Sequence, residues 1–188
     1  MTIVRPSHTY SHKWIPNILA SSSYSFAARL ENGKPVFVPD DGTNLWTLTA
    51  TSDFAVGFAG LVGNSEAIGE VFHITSDETL TWPQIYNEIA SALGAPLPKI
   101  VNIPTDFLCK VDSELTGPLK GDKSHPAVFD NSKIKRFVPE FECRKPFAAG
   151  IRESVAWLRQ YPDQQNPNPK VDATMDSVIA AWEKRGKA

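Results

Sequence analysis

The stretch GEVFHITSDETLTWPQIYNEIASALGAPLPKIVNIP, residues 69–104, constrains the fold more than any other part of the chain. Gly69 to Thr75 has strand character, and Thr81-Trp82-Pro83-Gln84 is a helix start: Thr81 is the N-cap, Gln84 closes a capping box, and Pro83 is tolerated in the first turn. Ile85, Ile89, Ala92 and Leu93 share one helical face, Gly94 ends the helix, and Lys99 to Ile103 returns as a strand. Strand, helix and strand at this spacing predict a βαβ unit with two parallel strands and a right-handed crossover, and so an α/β fold.

The flanking segments alternate in the same way. Thr2-Ile3-Val4 is a short β-branched strand stopped at Arg5-Pro6, and its place at the start of the sequence leaves open which sheet it joins. Without a neighbour, residues 2–5 are expected to exchange their amides freely. Pro16 to Leu30 carries Ile18, Leu19, Phe26 and Leu30 in a loose helical pattern weakened by Ser21-Ser22-Ser23. Val36-Phe37-Val38 is a strand ended by Pro39. Leu45 to Thr51 alternates apolar and polar residues as a half-buried strand does, with Ser52 or Asp53 capping a helix that runs to about Leu61 and is closed by Gly63-Asn64.

Beyond Pro104 the sequence predicts a short helix over Thr105 to Val111, then an irregular polar stretch to Asp130. Asp130-Asn131-Ser132 starts a turn of helix to Phe137, and Phe147, Ile151, Val155 and Leu158 mark a longer amphipathic helix. Residues 1–160 are expected to form the main unit. The Pro-rich residues 161–170 read as a linker, and residues 171–188 as a last amphipathic helix through Met175, Val178, Ile179 and Trp182.

With 188 residues, 41% of them hydrophobic and 21% charged, the chain can bury one real core. A formal charge of −2, with no Lys/Arg block, offers no attraction for nucleic acid or anionic lipid. No apolar run reaches the length of a membrane span and no secretory signal pattern opens the chain, so the cytoplasm is the default compartment. Cys109 and Cys143 are far apart and in no C-x-x-C arrangement, which argues against a disulfide scaffold or a zinc site.

Several motifs that suggest chemistry fail on context. Gly57, Gly60 and Gly63 have G-x-x-G-x-x-G spacing, but a dinucleotide fingerprint opens a helix after a buried strand, whereas these glycines lie within a helix and at its end. Tyr10 and Lys13 are three apart, not the four that place a phenol and an ammonium on one helical face. His8 and His12 have no carboxylate or third histidine nearby, so no metal site is expected, and a loop or site-lining role for His8 is favoured over a metal ligand. His73, alternating with Phe72 and Ile74, reads as structural, and no G-x-S-x-G or H-E-x-x-H is present.

Taken in order, TIVRPSHTY, GKPVFVPDDGTNLWTLTATSDFAVGF, GEVFHITSDETLTWPQIYNEIASALG and FDNSKIKRFVP resemble the C-terminal half of an extended short-chain dehydrogenase/reductase, the NAD-dependent epimerase/dehydratase family. The resemblance covers about residues 2–160. It implies a substrate-binding lobe with a βαβ unit, plus a short strand left over from a Rossmann sheet built mainly by an N-terminal half. That half would hold the glycine fingerprint, the catalytic Ser or Thr and the Tyr-x-x-x-Lys pair, so the sequence reads as a fragment or truncated gene product, and no catalytic residue is assigned within it.

By the same resemblance, Pro6, Ser7 and His8 match the loop that approaches the nicotinamide. Tyr10, Trp46, Thr47 and Thr49 match segments that line the substrate cleft. Asp53 matches an aspartate at a helix start, where an N-cap role is the stronger reading. Trp46 stands where family members often carry an arginine that grips a nucleotide-sugar phosphate; it reads equally as a stacking surface or as core. NAD or NADP is implied for a full-length parent, with no tight binding expected of this chain alone. The partners implied are a small-molecule substrate and either a missing N-terminal half or a second copy. The expected function is the substrate-binding portion of an oxidoreductase of this family acting on a nucleotide-sugar or related molecule; the alternative is a non-catalytic binding module.

Overall fold

The computed structural model describes residues 1–19 and 24–186, so the serine run at 21–23 lies outside the described residues. The regular elements are β1 (Ile3–Pro6), β2 (His8–Tyr10), α1 (Ser25–Glu31), β3 (Val36–Pro39), β4 (Leu45–Trp46), β5 (Leu48–Ala50), α2 (Thr51–Leu61), β6 (Val71–Ile74), β7 (Leu80–Thr81) and α3 (Trp82–Leu93). They continue as β8 (Ile100–Ile103), α4 (Thr105–Val111), α5 (Thr116–Pro118), α6 (Ser132–Phe137), α7 (Phe147–Gln160) and α8 (Pro169–Arg185), with a π-helical turn over Leu119–Lys123.

Helix α3 forms as its sequence dictates. The Thr81 side chain accepts the Gln84 amide and the Gln84 side chain accepts the Thr81 amide, so both halves of the capping box are made. Gly94 ends the helix at φ +66°, a conformation that costs glycine nothing. Trp82, Ile85, Tyr86, Ile89 and Leu93 are buried on one face, each stabilising the fold by about 1.5–3 kcal/mol relative to exposure. That face packs on α7, whose buried stripe contains Phe147, Ile151, Val155 and Leu158.

The strands depart from expectation in their partners. Val71–Ile74 and Ile100–Ile103 flank α3 but do not pair with each other: β6 pairs in parallel with β1, and β8 in parallel with β3. The crossover therefore joins two separate sheets. β3 is buried along its whole length, and as a strand of continuous apolar character it offers β8 a fully desolvated partner.

β1 is likewise not the unpartnered strand expected from its position. It runs through Pro6 in register with β6, Ile3 opposite Val71 and Pro6 opposite Ile74, and the Ile3 amide donates to the Glu70 carbonyl at 3.0 Å.

The segment Leu45 to Thr51 is not one half-buried strand. It breaks at Thr47 because the two sides have different partners: β4 is antiparallel to β7, and β5 is parallel to β2. Thr47 and Thr49 are both buried, so the apolar/polar alternation does not mark two faces of different exposure.

Helix α2 starts earlier than expected, with Ala50 as N-cap and no side-chain cap. Asp53 lies inside its first turn and accepts the Lys145 amide at 3.0 Å, so its role is a tie to the segment preceding α7, not an N-cap. Gly63 follows the helix at φ +78°, as anticipated.

Of the helix expected over Pro16 to Leu30, the described residues form Ser25–Glu31. Ahead of it, Asn17 accepts the Leu19 amide through its side chain at 3.0 Å, a local turn that competes with helical bonding.

Among the described residues, two apolar clusters result. The larger gathers Phe26, Phe37, Trp82, Tyr86, Ile151 and Met175, among others; the smaller, around Phe72, Ile74, Ile134, Val138 and Phe141, sits between β6, α2 and α6. Helix α8 is fastened to α1 by the buried Arg29, which donates to the Pro35 carbonyl and pairs with Asp172 and Asp176. Among the described residues, no helix is long and apolar enough to cross a membrane.

The β1–β6 pairing has a direct readout. In hydrogen exchange the Ile3 amide is expected to be protected along with Val71 to Ile74. Exchange of Ile3 at the rate of a free peptide would contradict the pairing.

Candidate functional site

A pocket of about 370 Å³ opens where the chain leaves β1. It is lined by Pro6, Ser7 and His8, by Trp14, by Trp46 of β4, and by Asp122, Lys123, Ala127 and Phe129 from the π-helical turn and the segment after it. The parallel pairings place the first of these groups: β1 on β6 and β2 on β5 hold residues 3–10 beside two distant segments, with His8 opposite Leu48.

Trp46 is 3% exposed, its ring 5.5 Å from that of Trp82, yet it also lines the pocket. It is a core residue with one surface on the site. Its indole Nε1 donates to His8 Nδ1 at 3.1 Å, and the Trp14 ring lies 5.0 Å from the imidazole. The Lys123 side chain is buried; its Nζ pairs with the half-exposed Asp122 at 2.7 Å and sits 5.7 Å from the centre of the Trp46 ring. An arginine at position 46 would place a second cation beside Lys123 and forfeit the ring packing. The site is thus aromatic, with one buried cation partly neutralised by a neighbouring carboxylate.

The other expected site residues are distributed differently. Thr49 Oγ1 accepts the Ser76 amide at 2.8 Å and lies 3.0 Å from Ser7 Oγ, while Thr47 Oγ1 donates to the Ala127 carbonyl at 2.6 Å. Both are buried behind the pocket wall and hold wall residues in place. Tyr10 lines a separate cavity of about 70 Å³ with Lys145, Gly150 and Glu153. Its hydroxyl has no hydrogen-bond partner among the described residues, and burial, with Glu78, Asp53 and Glu153 adding to it, raises its pKa. His12 packs on Trp157 and His73 on Phe129.

Trp14, Asp122, Lys123, Ala127 and Phe129 were not legible as site residues. The last four come from the stretch without periodicity, and only the tertiary fold brings them to His8. The glycines at 57 and 60 are packing positions: a Cβ on Gly60 would collide with Val138, and one on Gly57 would lie 2.9 Å from Ile74 Cγ2. No phosphate cradle exists there.

With this geometry in hand, known proteins place the fold. The UDP-glucuronic acid 4-epimerase of Bacillus cereus, solved with UDP-glucuronic acid and NAD, superposes with a TM-score of 0.61 at 15% identity over 85% of this chain and 45% of its own. The fold is that of the C-terminal half of an extended short-chain dehydrogenase/reductase. Its structural neighbours include that epimerase and the dTDP-glucose 4,6-dehydratase of Bacillus anthracis, both solved with NAD. By sequence the chain is 28% identical over 128 residues to 2'-dehydrokanamycin reductase of Streptomyces kanamyceticus, a match covering 67% of this chain and 35% of that protein. It is 34% identical over 118 residues to the chloroplast stem-loop binding protein of 41 kDa b of Arabidopsis thaliana, covering 62% of this chain and 31% of that protein. The chain thus spans about a third of the length of these relatives and under half of the solved epimerase. No protein-family model matches it.

The environment of His8 sets a pH dependence. Burial first, then the Lys123 cation, lower its pKa from 6.5 to about 4, against a smaller opposing pull from Asp122. An unfolded histidine takes its proton near pH 6.5 and folded His8 only near 4, so the neutral form's contribution is complete above 6.5 and is lost as pH falls toward 4. The loss is up to about 3 kcal/mol. Urea unfolding from pH 6.5 to 4.5 should show a shallower fall for His8→Gln than for the native chain; equal slopes would show that folded His8 protonates as readily as unfolded.

Proposed function

We propose that this chain supplies the substrate-binding portion of an NAD(P)-dependent oxidoreductase of the epimerase/dehydratase type, acting on a nucleotide-sugar or related small molecule. The observation that carries the reading is the pocket itself: the loop after β1 and the surface of Trp46 meet in one concave, largely apolar site with a few convergent polar groups, the usual form of a small-molecule site. In this reading Pro6, Ser7 and His8 form one wall beside the nicotinamide, which supplies hydride exchange when bound. The aromatic rings of Trp14, Trp46 and Phe129 contact the substrate's apolar faces, and Lys123 meets an oxygen or anionic group. The donor set fits that wall of a cofactor and no more, since the described residues offer no glycine cradle for its pyrophosphate.

The test is a pair of calorimetric titrations. UDP-glucuronic acid, the ligand of the Bacillus cereus epimerase, should bind saturably to the chain, and Lys123→Met should weaken it about tenfold through loss of a charge-assisted contact. NAD(H) alone should show no sub-micromolar site. A tight NAD(H) site, or no saturable response to UDP-glucuronic acid at millimolar concentration, would overturn the reading.

A further inference from the structure

Within the pocket, the bond between Trp46 and His8 decides more than their position. An indole has a single N–H and no lone pair to offer, so Trp46 Nε1 can only donate. His8 Nδ1, 3.1 Å away, must then present its lone pair, and a neutral imidazole that accepts on Nδ1 carries its proton on Nε2. Trp46 has little freedom to yield: it is 3% exposed, its ring packs against that of Trp82, and the neighbouring Thr47 hydroxyl is tied to the Ala127 carbonyl. Protonating Nδ1 would set two N–H groups against each other in a buried site, which costs the desolvation of both.

The charged groups facing the ring from the π-helical turn are Lys123 and Asp122, and Lys123 opposes a positive imidazole. His8 Nε2 makes no hydrogen bond to any described residue, so the proton it carries is available to a ligand in the pocket that His8 lines.

We propose that Trp46 is a positioning residue that fixes His8 as the uncharged Nε2–H tautomer, and that this N–H is the site's permanent donor to an oxygen acceptor of the bound ligand. The inference rests on the pocket being the substrate site. It assigns His8 to recognition, with neither nitrogen free to take a proton from substrate. The ligand it selects carries an acceptor oxygen, whether hydroxyl, carbonyl or phosphoryl, within reach of both His8 Nε2 and the Lys123 ammonium. Because the donor keeps its proton and gains no charge, its part in binding is the same from pH 5 to pH 8.

Nitrogen-15 NMR of the imidazoles in the full chain reads this directly. The native His8 spectrum should show only the Nε2–H form from pH 8 to 5, with Nδ1 unprotonated. Trp46→Phe, which keeps a ring but removes the donor, should let the Nδ1–H form appear. Adding UDP-glucuronic acid should shift the His8 Nε2–H resonance together with the indole resonances of Trp14 and Trp46. A dominant Nδ1–H form, or titration of His8 between pH 5 and 8, in the native chain overturns the inference whatever becomes of the variant. Indole shifts without a His8 shift overturn it while leaving the proposed function standing; no shift at any pocket residue overturns both.

Discussion

The site depends on one buried hydroxyl. Thr49 Oγ1, on a residue with no exposed surface, accepts the amide of Ser76 just past β6 and lies within hydrogen-bond distance of Ser7 Oγ in the turn between β1 and β2. Three segments distant in sequence meet at this atom. β1 pairs in parallel with β6 and β2 with β5, and the turn between β1 and β2, which carries Ser7 and presents His8, is set by how the two pairings are joined. A hydrogen bond is worth little net in water, but a buried amide left without a partner costs its full desolvation, so the junction acts mainly by penalising any other register.

What that junction positions is a site of low net charge. Lys123 is the buried cation of the pocket, and its partner Asp122, Trp46 and His8 surround it with one carboxylate, one π face and one uncharged imidazole. A buried ammonium persists only where such partners offset its desolvation. Trp46 serves both the core and the site because a tryptophan buries a large apolar body while keeping a polar N–H that must find an acceptor. Here the acceptor is a residue of the site, so core packing and ligand recognition share one side chain.

The elements that were legible in the sequence are those whose determinants are local. Thr81, Gln84 and Gly94 specify α3 through bonds within a few residues, and the stripe from Phe147 to Leu158 specifies α7 through its period. Partner choice was not legible. Nothing near Ile3 announces Val71, and nothing in the spacing of the βαβ unit tells that β8 takes β3 in place of β6. The break at Thr47 was hidden because buried threonines satisfied by hydrogen bonds look, in a sequence, like the solvent face of a strand. The resemblance assigned Pro6, Ser7 and His8 to the loop that approaches the nicotinamide and Tyr10, Trp46, Thr47 and Thr49 to the substrate cleft; Pro6, Ser7, His8 and Trp46 line one pocket and Tyr10 lines another, while Lys123 carried no sequence signal since its place comes from an irregular turn.

The most direct measurement of this account is urea unfolding of two variants at Thr49. Thr49→Val keeps the side chain's shape and removes the hydroxyl, leaving the Ser76 amide without its acceptor; Thr49→Ser keeps the hydroxyl and removes a methyl. The valine variant should lose about 1–3 kcal/mol for an unsatisfied buried donor. The serine variant should lose about 1 kcal/mol, the cost of one buried methyl. A valine variant as stable as the native chain, or no less stable than the serine variant, would contradict the claim that this hydroxyl joins the sheets and holds the site.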